Sequence, residues 1–214
     1  MRSFIVLSLT FASMIFCGSG CAQDPLADLY KNAGNASDQK VAELYFPAMQ
    51  KCGDALFAKS KPSLAADLCR DAAKIAQGFS PDARLVEKLD AYGRAGFALA
   101  QNGELKEALT WANKAVEVAK QETDDDNGSS VAYARRGAIE ATAGDLAAAD
   151  QDMNIAEEFD RKAIAWAKQA KFFTHIDDYF RGYAQDLRDH AAVLKKMNRP
   201  EEAKKKLDEA ARIH

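Results

Sequence analysis

One spacing constrains this chain more than any other feature. A small residue is followed after seven positions by a turn residue, after five more by an alanine, and after another seven by a second alanine. The sets are Gly53, Ser60, Ala65 and Ala72; Gly96, Gly103, Ala108 and Ala115; Gly137, Gly144, Ala149 and Ala156; and Ala191, Asn198, Ala203 and Ala210. Apolar residues recur at helical spacing around the turn residues: Leu85, Leu89, Tyr92 and Leu99 precede Gly103, and Leu105, Leu109, Ala112 and Val116 follow it. Trp111, Ala115 and Val118 add a second apolar face to the later helix, which must therefore lie between neighbours. Each set predicts an antiparallel helical hairpin. The small residue and the first alanine let its two helices approach closely, and the second alanine leaves room for the next hairpin to dock. Only 12 Gly and 5 Pro in 214 residues agree with an all-α fold.

These hairpins resemble tetratricopeptide repeats. The family's first-helix signature matches Tyr92, Ala95, Gly96 and Leu99, and more loosely Met49, Cys52, Gly53 and Leu56, or Tyr133 and Gly137. Residues 189–213 are similar to the longer repeats of the kinesin light chain type, and the small-residue positions lie 43, 41 and 54 residues apart. The resemblance covers residues 38–214 and implies a right-handed αα-superhelix of about four hairpins. It also departs from the family. Arg136 and Glu140 stand where apolar residues are usual, four apart on one helix and able to pair. The 54-residue step implies a lengthened helix through residues 157–173.

Residues 1–22 read as a secretory export signal. Arg2 supplies positive charge, Phe4 to Cys17 an apolar run, and Gly20 and Ala22 the small residues that place cleavage before Gln23. That run of about 14 residues is shorter than the roughly 20 a spanning helix needs, so residues 1–22 are expected to be removed and no membrane span to remain. Gly20-Cys21 also resembles the end of a bacterial lipobox, with Gly18 where leucine is usual, so Cys21 is the candidate for a lipid anchor. Either exit leads to the periplasm, the outer membrane or the exterior. Residues 23–37 read as a flexible lead-in to the repeat domain at 38–214.

Two cysteines fall in the folded part. Cys52 lies eight residues before Ser60 and Cys69 eight after Lys61, which puts both at about 12 Å from the turn of an antiparallel hairpin. In an oxidising compartment that pairing predicts a disulfide, two buried thiols being the alternative.

Little else points to chemistry. A formal net charge of -3 argues against nucleic-acid binding through bulk positive charge. Asp124, Asp125 and Asp126 before Asn127-Gly128 suggest a calcium loop, but Ala134 stands where its twelfth-position acid belongs, so a solvated connection is expected. His175 with Asp177 and Asp178 has no second histidine or cysteine nearby and reads as an interhelical turn, and His190 as a packed core residue. No nucleophile elbow, zinc-binding helix or phosphate loop is present. No catalytic residue, metal or cofactor is therefore expected. The alternative is an enzyme or accessory hydrolase with its site between helices, marked by a pocket gathering His190 with two acids.

What remains is the groove. Stacked hairpins curve, so their first helices line a concave face. Lys51, Arg94 and Arg135 occupy equivalent positions there, with Phe97 and Arg188 nearby. This basic row can receive an acidic segment of a partner protein, or can simply solvate a helix face. The Lys and Asn pair with which related repeats grip a terminal carboxylate is absent: Gln50, Asp54, Gly93 and Phe97 take those places. The expected function is a protein-binding scaffold of the cell envelope, alternatively an outer-membrane lipoprotein that assists assembly. Lys204, Lys205 and Lys206 are expected only to solvate the terminal helix.

Overall fold

The computed structural model describes residues 38–58, 61–122, 125–170 and 176–213. The export segment 1–22 with Cys21, the lead-in 23–37, Ser60, Asp124 and His175 lie outside the described residues.

Eight helices and no strand occur among the described residues. In order they are α1 (Asp38–Phe57), α2 (Pro62–Ala76), α3 (Leu85–Gln101), α4 (Leu105–Ala119), α5 (Asp126–Ala143), α6 (Leu146–Gln169), α7 (Ile176–Lys196) and α8 (Pro200–Ala210). They pair as α1–α2, α3–α4, α5–α6 and α7–α8, the four hairpins that the spacing predicts.

Three of the turns share one construction. Gly103, Gly144 and Asn198 adopt φ of 84°, 93° and 59°, the left-handed region that glycine and asparagine enter most cheaply. In each case the next amide reaches back five residues: Glu104 N to Leu99 O, Asp145 N to Glu140 O, and Arg199 N to Leu194 O, all at 2.9 Å. This backbone closure ends the first helix of each pair and aims the second back along it. The second helices start on matching signals. Pro62 and Pro200 open α2 and α8, and the Asp145 carboxylate caps α6 by accepting from Ala148 N at 3.1 Å.

The small residues act as the spacing requires. A Cβ on Gly96 would lie 3.1 Å from Ala108 O and 3.3 Å from Ala112 N, and one on Gly137 would lie 3.2 Å from Ala149 O. All eight alanines that follow the turn residues are buried. Gly53 differs: its missing side chain makes room for Arg94 of the next hairpin, 3.1 Å away, and not for α2. Cys52 and Cys69, both inaccessible, form a disulfide across the first hairpin with Cα atoms 4.7 Å apart.

Neighbouring hairpins pack asymmetrically. Each second helix lies against the first helix of the next hairpin, and successive first helices touch one another as well. Among the described residues the backbones of successive second helices do not approach so closely, and α2 and α4 are spanned by Arg70 reaching Glu104 and Glu107 at 2.5 and 2.9 Å. The stack is therefore tighter along its first helices, which form the inner face. The core runs on this plan from α1 through α6, with smaller apolar clusters in the last hairpin. The long step before that hairpin is taken up by α6, 24 residues against 15 for α2 and α4.

Candidate functional site

The inner face carries two arginines seated in the same manner. Arg94 of α3 and Arg135 of α5 stand 41 residues apart, one repeat step. A Cβ on Gly53 would meet Arg94 Nη1 at 3.1 Å, and a Cβ on Gly93 would meet Arg135 Nη1 at 2.7 Å. Each guanidinium thus lies across the first helix of the preceding hairpin, where glycine leaves room for it. Their electrostatic situations differ. Arg94 Nε donates to Asp90 Oδ1 at 2.8 Å. Arg135, half-buried, stacks over the Phe97 ring at 5.9 Å and has no hydrogen-bonded or ion-paired carboxylate among the described residues. Burial lowers the pKa of its guanidinium against the weaker opposing pull of Asp90. A partly desolvated guanidinium without a direct counter-ion can donate strong hydrogen bonds to a carboxylate brought from outside.

Beside this row lies a cup lined by apolar side chains and by the acids Asp54, Glu87 and Asp90. A cavity of about 430 Å³ opens between α1 and α3, and Phe46, Phe57 and Val86 line it while remaining 53%, 82% and 50% exposed. Phe97, 41% exposed, lies beneath the Arg135 guanidinium on the same face. Large apolar side chains concentrated along one groove are a mark of recognition surfaces. Lys51 and Arg188 are exposed toward the two ends of the face, on α1 and α7. The basic positions read from the sequence therefore have three fates: Lys51 and Arg188 are solvated, Arg94 is paired, and Arg135 is half-buried with no paired carboxylate among the described residues. Phe46, Phe57 and Val86 were not expected at the site, because an exposed aromatic in an amphipathic helix looks like any core residue until its neighbours are placed.

His190 is a core residue, as expected, but a polar one. Its ring, 1% exposed, lies between two carboxylates, with Nδ1 2.6 Å from Glu157 Oε1 and Nε2 2.7 Å from Asp150 Oδ1. Lys206 donates to both oxygens of Glu157 at 2.7 and 2.6 Å, and Arg199 to Asp150 Oδ2 at 2.6 Å. Burial pushes both carboxyls up, but hydrogen bonds from His190 and these cations outweigh it and hold each below its ordinary range. The cluster ties α6 to α7 and α8. Lys206 is thus a correction: it holds a buried carboxylate, while Lys204 and Lys205 are exposed. Two acids do gather around His190, yet ring and Glu157 are each 1% exposed. That enclosure fits an inter-hairpin tie better than a site that substrate must reach.

Arg136 and Glu140 approach to 3.7 Å, but the closer partner of Arg136 is Asp152, held by two bonds of 2.6 and 2.8 Å. Burial, then the Asp152 charge, push the Glu140 carboxyl up to about 7. Asp125, from the acidic run, caps α5 by accepting from Gly128 N at 2.8 Å. Among the described residues no group of three or more His, Cys, Asp or Glu side chains is placed to hold a metal ion. None of the described helices is long and apolar enough to cross a membrane. No family model matches the chain, and no curated protein matches it.

Proposed function

We propose that this chain is an exported scaffold of the tetratricopeptide type that binds a partner protein in the cell envelope, taking an acidic segment of it along the inner face. The observation that carries this reading is Arg135: a guanidinium seated in a glycine gap, stacked on Phe97, with no direct counter-ion among the described residues. Arg94 one repeat away and the exposed apolar side chains Phe46, Phe57 and Val86 beside it extend the contact. Recognition then needs no bond-making, because a preformed face loses little conformational freedom on binding. The disulfide of the first hairpin suits an oxidising compartment outside the cytoplasm.

The test is site-specific cross-linking in the native envelope, with a photoreactive phenylalanine analogue at Phe97. The expected result is one dominant adduct, reduced at least tenfold by Arg135→Gln while helicity is unchanged, since removing one member of a desolvated charge pair costs about 2–5 kcal/mol. Capture at full strength in the Arg135→Gln protein would refute the basic-face reading. Intact mass of the exported protein separates a free Gln23 terminus from an acylated Cys21.

A further inference from the structure

The third and fourth hairpins are joined differently from the others. One continuous apolar core runs from α1 to α6. The buried cluster that follows takes a single residue from α6, Ile164, packed with Tyr183, Ala184 and Leu187 of α7 and Ala210 of α8. A last cluster joins only α7 to α8. Charged side chains supply much of what holds this junction, and His190 stands at their centre.

Each nitrogen of the buried ring has a carboxylate oxygen within hydrogen-bond distance, Glu157 Oε1 at 2.6 Å from Nδ1 and Asp150 Oδ1 at 2.7 Å from Nε2. A neutral imidazole has one N–H, and its other nitrogen offers a lone pair. In this seat that lone pair would face a carboxylate oxygen at contact distance, whereas the imidazolium donates to both. Moving a proton onto a carboxyl does not resolve the clash. Burial pushes Asp150 and Glu157 up, but hydrogen bonds from His190 and from Arg199 or Lys206 outweigh it and hold both below their ordinary range.

The groups around the ring complete a chain of bonds. From α6 come the two carboxylates, with Arg161 donating to Glu157 at 3.0 Å and facing Glu209 of α8 at 4.0 Å. From the last turn, Arg199 donates to Asp150 Oδ2 at 2.6 Å and to Glu202 at 2.7 and 2.6 Å. From α8, Lys206 donates to both oxygens of Glu157. On α7 itself, Asp189 accepts from Gln185, and Asp186 faces Ser130 of α5. The chain therefore runs Arg199–Asp150–His190–Glu157–Lys206, starting and ending on the fourth hairpin and passing through α6 twice.

We propose that this chain is a proton-operated latch: as an imidazolium, His190 clamps the last hairpin to α6, and on losing one proton it releases it. Deprotonation removes one of the two charge-assisted bonds and turns a lone pair toward its carboxylate. The stabilising species is the protonated ring, so the clamp is present with that proton bound and is lost as pH rises. The inference stands apart from the partner reading above. It bears on that reading only because α7 carries Arg188, so an open latch shortens the inner face.

Two measurements on the full chain, followed together from pH 6 to 10, test this. Nitrogen-15 NMR of labelled histidine, with His190→Gln to assign the signal, should show hydrogen on both ring nitrogens at pH 7 and its loss from one of them at higher pH. Hydrogen exchange by mass spectrometry, corrected for the intrinsic effect of pH, should show protection of α7 and α8 falling about tenfold or more at that same step. Protection of α3 and α4 should hold. His190→Gln has no such proton to lose, so its protection in α7 and α8 should be low and level across the range. A nitrogen already bare at pH 7, or a ring that keeps both protons to pH 10, would overturn the latch. So would unchanged protection of α7 and α8 through the deprotonation, or an equal fall in His190→Gln. Should that variant fail to fold, the two curves of the native protein decide by themselves.

Discussion

Cutting the Cys52–Cys69 bond should loosen one end of this molecule and leave the other untouched. The bridge closes a loop with a sequence separation of 17. For a loop of that length the chain-entropy relation gives about 3 kcal/mol at 25 °C. In a closed globule unfolding as one unit, that loss would be shared by every slowly exchanging amide. Among the described residues, contacts join each hairpin to its neighbours and no further, and the bridge lies in the first. In such a stack, stability is a sum of unit and nearest-neighbour terms, and the ends open separately. Hydrogen exchange by mass spectrometry, on oxidised protein and on protein refolded under reductant, reads the difference. Protection in α1 and α2 should fall about a hundredfold, the equivalent of about 3 kcal/mol. Protection in α7 and α8 should change less than twofold. A uniform loss across all eight helices would refute stacking by nearest neighbours, and no loss in α1 and α2 would refute the stapling role of the bridge.

Two further outcomes follow from buried groups and tight crossings. Glu140→Gln should raise stability at pH 8 and leave it unchanged at pH 4. The folded carboxyl, 15% exposed, sits at about 7 against an ordinary 4.5, so its stabilising proton is fully bound below 4.5 and lost as pH rises through 7. Thermal melts of both proteins should converge in acid and part by up to about 3 kcal/mol in base; parallel curves would exclude the effect. Gly96→Ala should cost about 1–3 kcal/mol in urea unfolding, because the added methyl meets the α4 backbone at 3.1 Å. Gly103→Ala, with open space around it but φ of 84°, should cost about 1 kcal/mol, and the reverse order would contradict the packing account.

Legibility in the sequence tracked the range of the interaction. The four hairpins were visible because helix periodicity is a local demand, and so, in three of them, is the left-handed turn residue, each satisfied within one repeat. The disulfide was visible for the same reason, since both cysteines belong to one hairpin. Arg94 and Arg135 could be singled out by their shared register. That Arg94 is paired and Arg135 is not depended on Asp90 and on two glycines of preceding helices. The surface role expected of Lys206 failed on the same ground, because its partner Glu157 lies 49 residues away on another hairpin.

By itself, then, the sequence determined the helices, their turns, their order and the staple, since each follows from steric and hydrogen-bonding rules acting over a few residues. Only the tertiary structure decided which of 32 acidic side chains meet which of 29 basic ones. It left Arg135 without a paired carboxylate among the described residues, enclosed His190 between two carboxylates, and brought Asp160 and Asp186 to one hydroxyl. Charge carries no periodicity that names its partner. The energy of an ionic contact depends on distance and desolvation, and both arise only when one hairpin is laid against the next.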